Sequence, residues 1–171
     1  MKQLATLTDS DIFEGAVNKS SNDFYKRQAA RAIVFNESGQ VYLLHMSNYG
    51  YHKLPGGGVD DGEDMPTALF RELKEEIGCP AEITGEVGEI RELRSEMGWD
   101  QISYCYLAKQ NGELVPTELE PSEIAQGAET VIAESIDAAI ELLEKDSPVD
   151  YEGKFIKQRD LIFLRRAQEF I

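Results

Sequence analysis

The sequence is poor in cysteine and has no long apolar run. Its two cysteines, Cys79 and Cys105, are too few for the disulfide framework of a small secreted domain. No segment approaches the roughly 18 consecutive apolar residues that a membrane span requires, and residues 1–15 lack the apolar region of a signal peptide. We therefore expect a cytoplasmic location, reduced buried thiols and no membrane partner.

Basic residues are also scarce. The chain has 17 Lys and Arg against 32 Asp and Glu, which gives a formal net charge of −15. Proteins hold long nucleic acids and anionic membranes with lysine and arginine, so we expect neither as a partner. A small phosphorylated ligand is compatible with this charge, because divalent cations bridge carboxylates to phosphate oxygens.

The composition is that of an ordinary globular protein. Hydrophobic residues make up 42% and charged residues 29%, which excludes a wholly disordered chain. No internal repeat or low-complexity linker divides the 171 residues, so we predict a single domain over residues 1–171. Exposed strands and a C-terminal helix leave room for a homodimer.

The local patterns predict an α+β fold with a sheet between helices. Two β-prone segments, residues 28–36 and 41–46, flank a turn and predict a hairpin. A helix is predicted over residues 65–77, since Pro66 suits a first turn and Gly78 suits the left-handed residue after a helix end. The other predicted elements are strands at 82–95 and 101–109 around a loop at 97–100, and helices at 133–145 and 151–171.

The helix predicted at 65–77 has two distinct faces. At about 100° per residue, its apolar arc holds Leu69, Phe70, Leu73 and Ile77, and its acidic arc holds Glu72, Glu75 and Glu76. Carboxylates three or four positions apart repel each other by several tenths of a kcal/mol per pair unless a cation lies among them. Oxygen ligands of this kind favour Mg²⁺ or Mn²⁺, so the acidic arc is a candidate metal site.

A glycine run before this helix supplies a second element of the site. Gly56, Gly57 and Gly58 let the backbone approach a ligand without an intervening Cβ, and can offer a carbonyl oxygen to a hard cation. Arg71 adjoins the acidic arc, where it can orient a carboxylate such as Glu63 or Glu75. Substrate and metal are therefore expected to meet between the loop and the helix.

A specific resemblance is carried by residues 57–79, which read Gly57-x5-Glu63-x7-Arg71-Glu72-Leu73-x-Glu75-Glu76-x-Gly78-Cys79. This pattern is similar to the signature of the Nudix hydrolase superfamily and matches each of its fixed residues. The last position of the signature is generally a bulky aliphatic residue, and here it is Cys79. The resemblance implies an α/β/α sandwich with a mixed β-sheet between helices. It also implies the roles of the site residues: Glu72, Glu75, Glu76 and the Gly57 carbonyl bind the divalent cations, and Glu63 and Arg71 hold them in position.

The same resemblance implies an enzyme. Its members cleave the pyrophosphate linkage of a nucleoside diphosphate joined to another moiety, with Mg²⁺ or Mn²⁺ as cofactor. Related ADP-sugar and dinucleoside polyphosphate enzymes often carry a proline or tyrosine after the signature, and residues 81–103 contain neither. Nucleoside triphosphates, damaged ones included, are therefore the first expected substrates. The general base is left open between a signature glutamate and a downstream acid: Glu118, Glu120, Glu123 or Glu129.

Several residues admit two interpretations. Arg31, Gly56 and Gly58 are candidate substrate contacts, although Arg31 is explained equally well as a strand-edge residue with a packed stem. Four aromatic residues assigned to loops can stack on a nucleobase or pack at the rim: Tyr49, Tyr51, His52 and Trp99. Two alternatives to an enzyme also stay open, a non-catalytic Nudix-like nucleotide-binding or regulatory module and a purely structural cation site.

The ligand assignment predicts the effect of neutralising one acid. The substitution Glu76→Gln should abolish most activity and leave the fold intact, because it removes a charged metal ligand and keeps the side-chain shape. Turnover with saturating Mg²⁺, together with a circular dichroism spectrum, measures both properties. Near-normal turnover would contradict the assignment of Glu76 as a ligand.

Overall fold

A computed structural model describes residues 1–171. The chain forms seven strands and five helices, in this order: β1 (Gln3–Thr8), α1 (Asp9–Ile12), β2 (Tyr25–Phe35), β3 (Val41–Met46), β4 (Tyr51–Lys53), α2 (Met65–Ile77), β5 (Ala81–Arg94), β6 (Trp99–Gln110), α3 (Pro121–Ala125), β7 (Ala128–Ala133), α4 (Ile136–Lys145) and α5 (Tyr151–Gln168).

The strands form one mixed sheet. Its order is β1-β5-β6-β2-β3-β4, with β7 paired to β3. The pairs β1–β5 and β2–β6 are parallel, and all other pairs are antiparallel. The long β2–β6 pair runs in register from Tyr25 opposite Trp99 to Phe35 opposite Lys109. Side chains of these two central strands therefore point alternately to the two faces of the sheet.

Each face of the sheet is covered by helices. On one face, α4 and α5 pack over a core that includes Ile33 of β2 and Cys105 of β6. On the other face, α2 packs over a core that includes Ala30, Ala32 and Val34 of β2. The fold is thus an α+β sandwich with a mixed sheet between helices, and the predicted fold class is confirmed.

Helix α2 begins and ends where the sequence indicates. Its N-terminus is capped by Asp64, whose side chain accepts a hydrogen bond from the Thr67 amide at 2.8 Å. It ends at Gly78, which has φ of 59° and whose Cβ position would lie 2.0 Å from the Val115 carbonyl oxygen. Only glycine satisfies both the left-handed backbone and this close approach. Cys79 follows as a buried apolar residue of the same core.

The structure corrects several local predictions. Phe70 is exposed, because the buried face of α2 is formed by Ala68, Leu69, Leu73 and Ile77 together with Glu76. The loop predicted at 97–100 is shorter, since Trp99 and Asp100 pair with β2 at the start of β6. The helix predicted from residue 133 begins at Ile136, and the preceding residues form the unpredicted strand β7. Strands β1 and β4 were also not predicted: β4 has only three residues, and β1 buries only one of its six side chains and so has little apolar signal.

A buried network of charged side chains fixes α5 to the sheet. Asp160 of α5 accepts a hydrogen bond from the Leu54 amide at 2.8 Å and from Arg159 Nε at 2.7 Å. Glu92 of β5 accepts from Arg94 at 2.7 Å, and neighbouring arginines hold its pKa down at about 2 although burial alone would raise it. The Asp160 contact ties α5 to the segment that leads into the glycine run.

No helix of this structure combines the length and the apolar content needed to cross a bilayer.

Helix capping away from the site provides a stability prediction. Ser135 caps α4 by accepting a hydrogen bond from the Ala138 amide at 3.1 Å. The substitution Ser135→Ala should lower the free energy of unfolding by about 1 kcal/mol, as measured by urea denaturation. Ser38, an exposed turn residue, is the control: Ser38→Ala should change the free energy of unfolding by much less. Equal effects of the two substitutions would contradict the capping role.

Candidate active site

Seven of the nine predicted site residues line a cleft of about 470 Å³ between the glycine run, α2 and the start of α5: Arg31, Gly56, Gly57, Gly58, Arg71, Glu72 and Glu76. The other two, Glu63 and Glu75, do not line the cleft but contact Arg71 at its edge. The floor of the cleft is formed by side chains of β2 and β6 on the face that α5 covers. Its walls come from Lys53 of β4, from α2 and from the segment around α3. The cleft therefore joins parts of the chain that are far apart in the sequence.

Glu76 is the most buried acid of the α2 face. Its side chain is 1% exposed and accepts hydrogen bonds from the Gly56 amide at 2.5 Å and from Lys53 Nζ at 2.6 Å. Lys53 also approaches Glu123 at 3.5 Å. These contacts connect α2 to the glycine run on one side and to α3 on the other.

Burial changes the proton affinity of this group. Removal from water, reinforced by the negative charge of Glu123, raises the pKa of Glu76 to about 8. Burial also acts to raise the pKa of Glu123, but its interactions with Glu76 and Lys53 outweigh that effect and the pKa is lowered. Without a metal ion, the proton of this pair therefore lies on Glu76.

Arg71 gathers the other acids. Its guanidinium donates two hydrogen bonds to Glu63, at 3.1 and 3.0 Å, and one each to Glu72 at 2.8 Å and Glu75 at 3.1 Å. It also donates to the Gly58 carbonyl at 3.1 Å. The hydrogen bonds from Arg71 lower the pKa of Glu63, whereas burial raises the pKa of Glu72. Arg71 thus holds the loop and the helix face in one arrangement.

The glycine run lies directly against the acids. A Cβ on Gly57 would lie 2.2 Å from Glu72 Oε1, and one on Gly56 would lie 2.2 Å from the Ala30 carbonyl oxygen. The Gly57 carbonyl accepts a hydrogen bond from the Ala30 amide at 3.0 Å, which leaves one lone pair for a cation. The Gly56 amide donates its hydrogen bond to Glu76, and the Gly58 carbonyl accepts one from Arg71. The contact of these two glycines with substrate therefore stays a prediction.

The donors present suit a divalent cation. Glu72, Glu75 and Glu76 offer only oxygen atoms, and the side-chain-free surface of Gly57 faces the Glu72 carboxylate. As they stand, no three acidic, histidine or cysteine side chains are gathered closely enough to hold a metal ion. Lys53 and Arg71 supply the neutralising charge instead, so a bound cation would take over contacts that these two side chains make.

Arg31 is a buried cation without a partner. It is 8% exposed, it lines the cleft, and its Nε and Nη1 atoms make no hydrogen bond. Burial, and next the positive charge of Arg159, lower the pKa of Arg31. Leaving a buried guanidinium unpaired is costly, and an anion in the cleft would remove that cost.

Sequence reasoning missed some cleft residues. Lys53 and Arg27 had no sequence signal, because each owes its position to strand pairing. Glu123 was weighed as one acid among four, and the structure brings it to Lys53 whereas Glu129 contacts His45 outside the cleft. Of the four aromatic candidates, Tyr51 and Trp99 line the cleft and Tyr49 and His52 do not.

Comparison with known proteins adds independent information. The family model described as NUDIX domain matches residues 25–152. An RNA pyrophosphohydrolase of Vibrio cholerae is 34% identical over 100 residues, which cover 54% of this chain and 57% of that protein. An RNA pyrophosphohydrolase of Pseudomonas aeruginosa is 39% identical over 67 residues, covering 39% of this chain and 38% of that protein. The matched region therefore spans a little more than half the length of the first relative and less than half the length of the second.

Solved structures share the fold. A NUDIX hydrolase from Nitrosomonas europaea superposes with a TM-score of 0.61 at 13% identity, covering 85% of this chain and 90% of that chain. An ADP-ribose pyrophosphatase from Streptococcus suis gives a TM-score of 0.53 at 20% identity, covering 85% and 94%. At these identities the likeness shows the fold.

The raised pKa of Glu76 predicts a pH dependence of stability. Between about pH 4.5 and about pH 8, the folded metal-free protein retains a proton on Glu76 that the unfolded chain has lost, so the free energy of unfolding should fall as pH rises. Glu123 titrates below this window, because its pKa is lowered. Urea denaturation in EDTA at pH 5 and pH 8 measures the change.

Two variants make this test specific. Glu76→Gln cannot lose a proton, so its free energy of unfolding should vary less between the two pH values than that of the wild-type protein. The control Glu141→Gln removes an exposed acid paired only with Lys145 and should follow the wild-type protein. Parallel curves for wild type and Glu76→Gln would show that Glu76 does not titrate in this range.

Proposed function

The chain belongs to the Nudix family, and from this membership we propose that it is a Mg²⁺- or Mn²⁺-dependent pyrophosphohydrolase. In this proposal it cleaves the phosphoanhydride bond of a nucleoside diphosphate joined to another moiety. The observation that carries the proposal is the junction of the buried Glu76 with the glycine run, beside an unpartnered buried arginine in the same cleft. The acidic side chains that would bind a metal ion and the arginine that would bind a phosphate thus lie in one cleft.

The proposal assigns the cation to the face of α2. Glu72, Glu75, Glu76 and the Gly57 carbonyl would hold Mg²⁺ or Mn²⁺. The Gly56 carbonyl oxygen, next to it, accepts no hydrogen bond in the structure and is a further oxygen of the same kind. When bound, the divalent ion supplies charge neutralisation of the pyrophosphate and acidification of a water molecule.

The side chains of the cleft would orient the reaction. Water attacks one phosphorus; the new P–O bond forms as the anhydride P–O bond breaks, and the bonding electron pair leaves with the other phosphate. We assign the proton released from water to the carboxylate of Glu123, which is the downstream acid close to Glu76 and Lys53. Arg71 would keep Glu63, Glu72 and Glu75 in place throughout.

Arg31 is assigned to a nonbridging phosphate oxygen of the substrate. Its free Nε and Nη1 hydrogens are the kind of donors that phosphate oxygens accept, and the low-exposure site strengthens each such hydrogen bond. Phosphate would then offset the charge of Arg31 in the bound state only. Binding energy is thereby directed at the group that reacts.

Nucleoside triphosphates are the first substrates that we propose. The curated relatives are named as RNA pyrophosphohydrolases, and a 5′-triphosphate on RNA presents the same phosphoanhydride chemistry. The net charge of −15 disfavours a long polyanion, because phosphate contacts to lysine and arginine dominate such binding. We therefore place small nucleotides before RNA ends.

The proposal also covers the location, the domain organisation and the oligomeric state of the protein. Both cysteines are buried and free, as suits a reducing cytoplasm. We propose that residues 1–171 act as one domain, and homodimer formation stays a prediction. A non-catalytic nucleotide-binding module is disfavoured by the complete set of signature acids, and a purely structural cation site is disfavoured by the unpaired Arg31.

The role of Arg31 can be separated from a structural one. The substitution Arg31→Met should lower kcat/KM for nucleoside triphosphates about tenfold to a hundredfold, the value of a lost hydrogen bond to a charged group. It should not lower the melting temperature, because it removes an unpaired buried charge. Arg94→Met is the matched control: Arg94 is buried but paired with Glu92 and Glu152, so its loss should lower the melting temperature.

The substrate assay uses a panel of phosphoanhydrides. GTP, ATP, ADP-ribose, a nucleotide sugar, a dinucleotide and a 5′-triphosphorylated oligoribonucleotide are each incubated with Mg²⁺, and products are separated by chromatography. We expect hydrolysis that requires the divalent ion and is fastest for a nucleoside triphosphate. No hydrolysis of any member would overturn the proposed function, and a thermal shift with nucleotide alone would then favour the binding module.

A further inference from the structure

The cleft has a second arm that the proposed hydrolysis does not use. It lies at the end of the sheet where β2 and β6 begin, beyond Arg31 on the same face of β2. In this arm the guanidinium carbon of Arg27 lies 4.2 Å from the centroid of the Trp99 ring. Glu152, in the first turn of α5, lines the cleft near both side chains.

Arg27 presents hydrogen-bond donors without an acceptor. Its guanidinium is half-buried and makes a cation–π contact with Trp99, but forms no hydrogen bond or ion pair with a protein group. On the other side, a Cβ on Gly58 would lie 2.8 Å from Arg27 Nη2, so the absent side chain makes room for it. An arginine held against an aromatic ring loses less freedom when it binds a ligand.

Glu152 presents a fixed acceptor. Its Oε1 accepts a hydrogen bond from Arg94 Nη1 at 2.8 Å, and Arg94 is itself buried and paired with Glu92 at 2.7 Å. Glu152 Oε2 receives no hydrogen bond from the protein. The carboxylate is therefore held in one position with lone pairs open to the cleft.

We propose, on the basis of the function proposed above, that this arm binds the nucleobase of the substrate and that the preferred base is guanine. Guanine carries two acceptors, O6 and N7, on one edge, and arginine is the residue that pairs with them in a bidentate manner. It carries two donors, N1–H and the N2 amino group, on the neighbouring edge, where a carboxylate accepts both. Arg27 and Glu152 supply these complementary groups, and the ring of Trp99, which the Arg27 and Arg94 guanidiniums both contact, holds Arg27 in place.

Other bases match this arm less well. Adenine presents N1 as an acceptor where guanine presents N1–H, so the Glu152 carboxylate would face a lone pair. Uracil has one ring N–H donor between two carbonyl acceptors, and cytosine has an unprotonated N3. A site whose polar groups are left unpaired by the wrong ligand discriminates strongly against it.

The spacing allows one nucleotide to reach both arms. Arg27 and Arg31 are four residues apart on an extended strand, which separates their Cα atoms by roughly 13 Å. A base at Arg27 and a phosphate at Arg31 therefore leave room for a ribose between them. The bridge between Ala29 and Gly58 places the glycine run alongside this path.

The first test compares two nucleotides in a variant. Glu152→Gln keeps an oxygen for Arg94 but turns a donor toward the cleft, so the ratio of kcat/KM for GTP to that for ATP should fall about tenfold or more. Glu144→Gln is the matched control, because Glu144 pairs with Arg165 at 2.7 Å outside the cleft, and its ratio should equal that of wild type. An unchanged ratio in Glu152→Gln would overturn the assignment.

The second test needs neither hydrolysis nor a variant. Trp99 is the single tryptophan of the chain, so tryptophan fluorescence, excited at a wavelength that tyrosine does not absorb, reports on this arm alone. Titration of the wild-type protein with GMP in EDTA should change the fluorescence at concentrations at least tenfold lower than AMP requires. Equal responses to GMP and AMP, or none, would overturn the inference.

Together the tests distinguish the two proposals. If GMP is bound selectively but no nucleotide is hydrolysed, the guanine site stands and the proposed function fails. If GTP and ATP are hydrolysed equally well and GMP gives no selective fluorescence change, the proposed function stands and the guanine site fails.

Discussion

The contact between Glu76 and the Gly56 amide is the constraint on which the site depends. Glu76 belongs to the buried face of α2, yet its carboxylate is polar and must be satisfied inside the protein. The Gly56 amide and Lys53 do this, and in doing so they fix the distance between the helix and the glycine run. Glycine is required at position 56 because the strand β2 passes directly beside it.

Charge balance explains how such an acidic face folds. Ionised glutamates three positions apart on a helix repel each other, and Arg71 offsets that repulsion through ion pairs with Glu72 and Glu75. Glu76, protonated in the absence of a metal ion, accepts a hydrogen bond from Lys53. The ion pairs of Arg71 are partly buried, so water screens them less than it screens surface pairs. The same side chains keep the carboxylates oriented toward the glycine run, where cations and phosphate are proposed to bind.

The two faces of strand β2 have different roles, one in packing and the other in the cleft. Residues of β2 that point toward α2 are small and apolar and let the helix pack closely, whereas Arg27 and Arg31 point toward α5 and form the floor of the cleft. Helix α5 is held over them by Asp160 and by the buried pairs around Glu92. A fold element far along the chain thus completes the cleft and supplies Glu152.

The sequence by itself determined the local features of this protein. The spacing of Leu69, Leu73 and Ile77, the cap at Asp64 and the stop at Gly78 specify α2, because helix periodicity and end signals act within a few residues. The signature from Gly57 to Cys79 indicated the family, because it too consists of residue types at fixed short spacings along the chain. Only the tertiary structure decided which distant side chains join it. Lys53, Arg27 and Glu152 meet the site through strand pairing and the packing of α5, and Glu123 meets it because α3 lies beside Lys53. No spacing along the chain encodes those contacts.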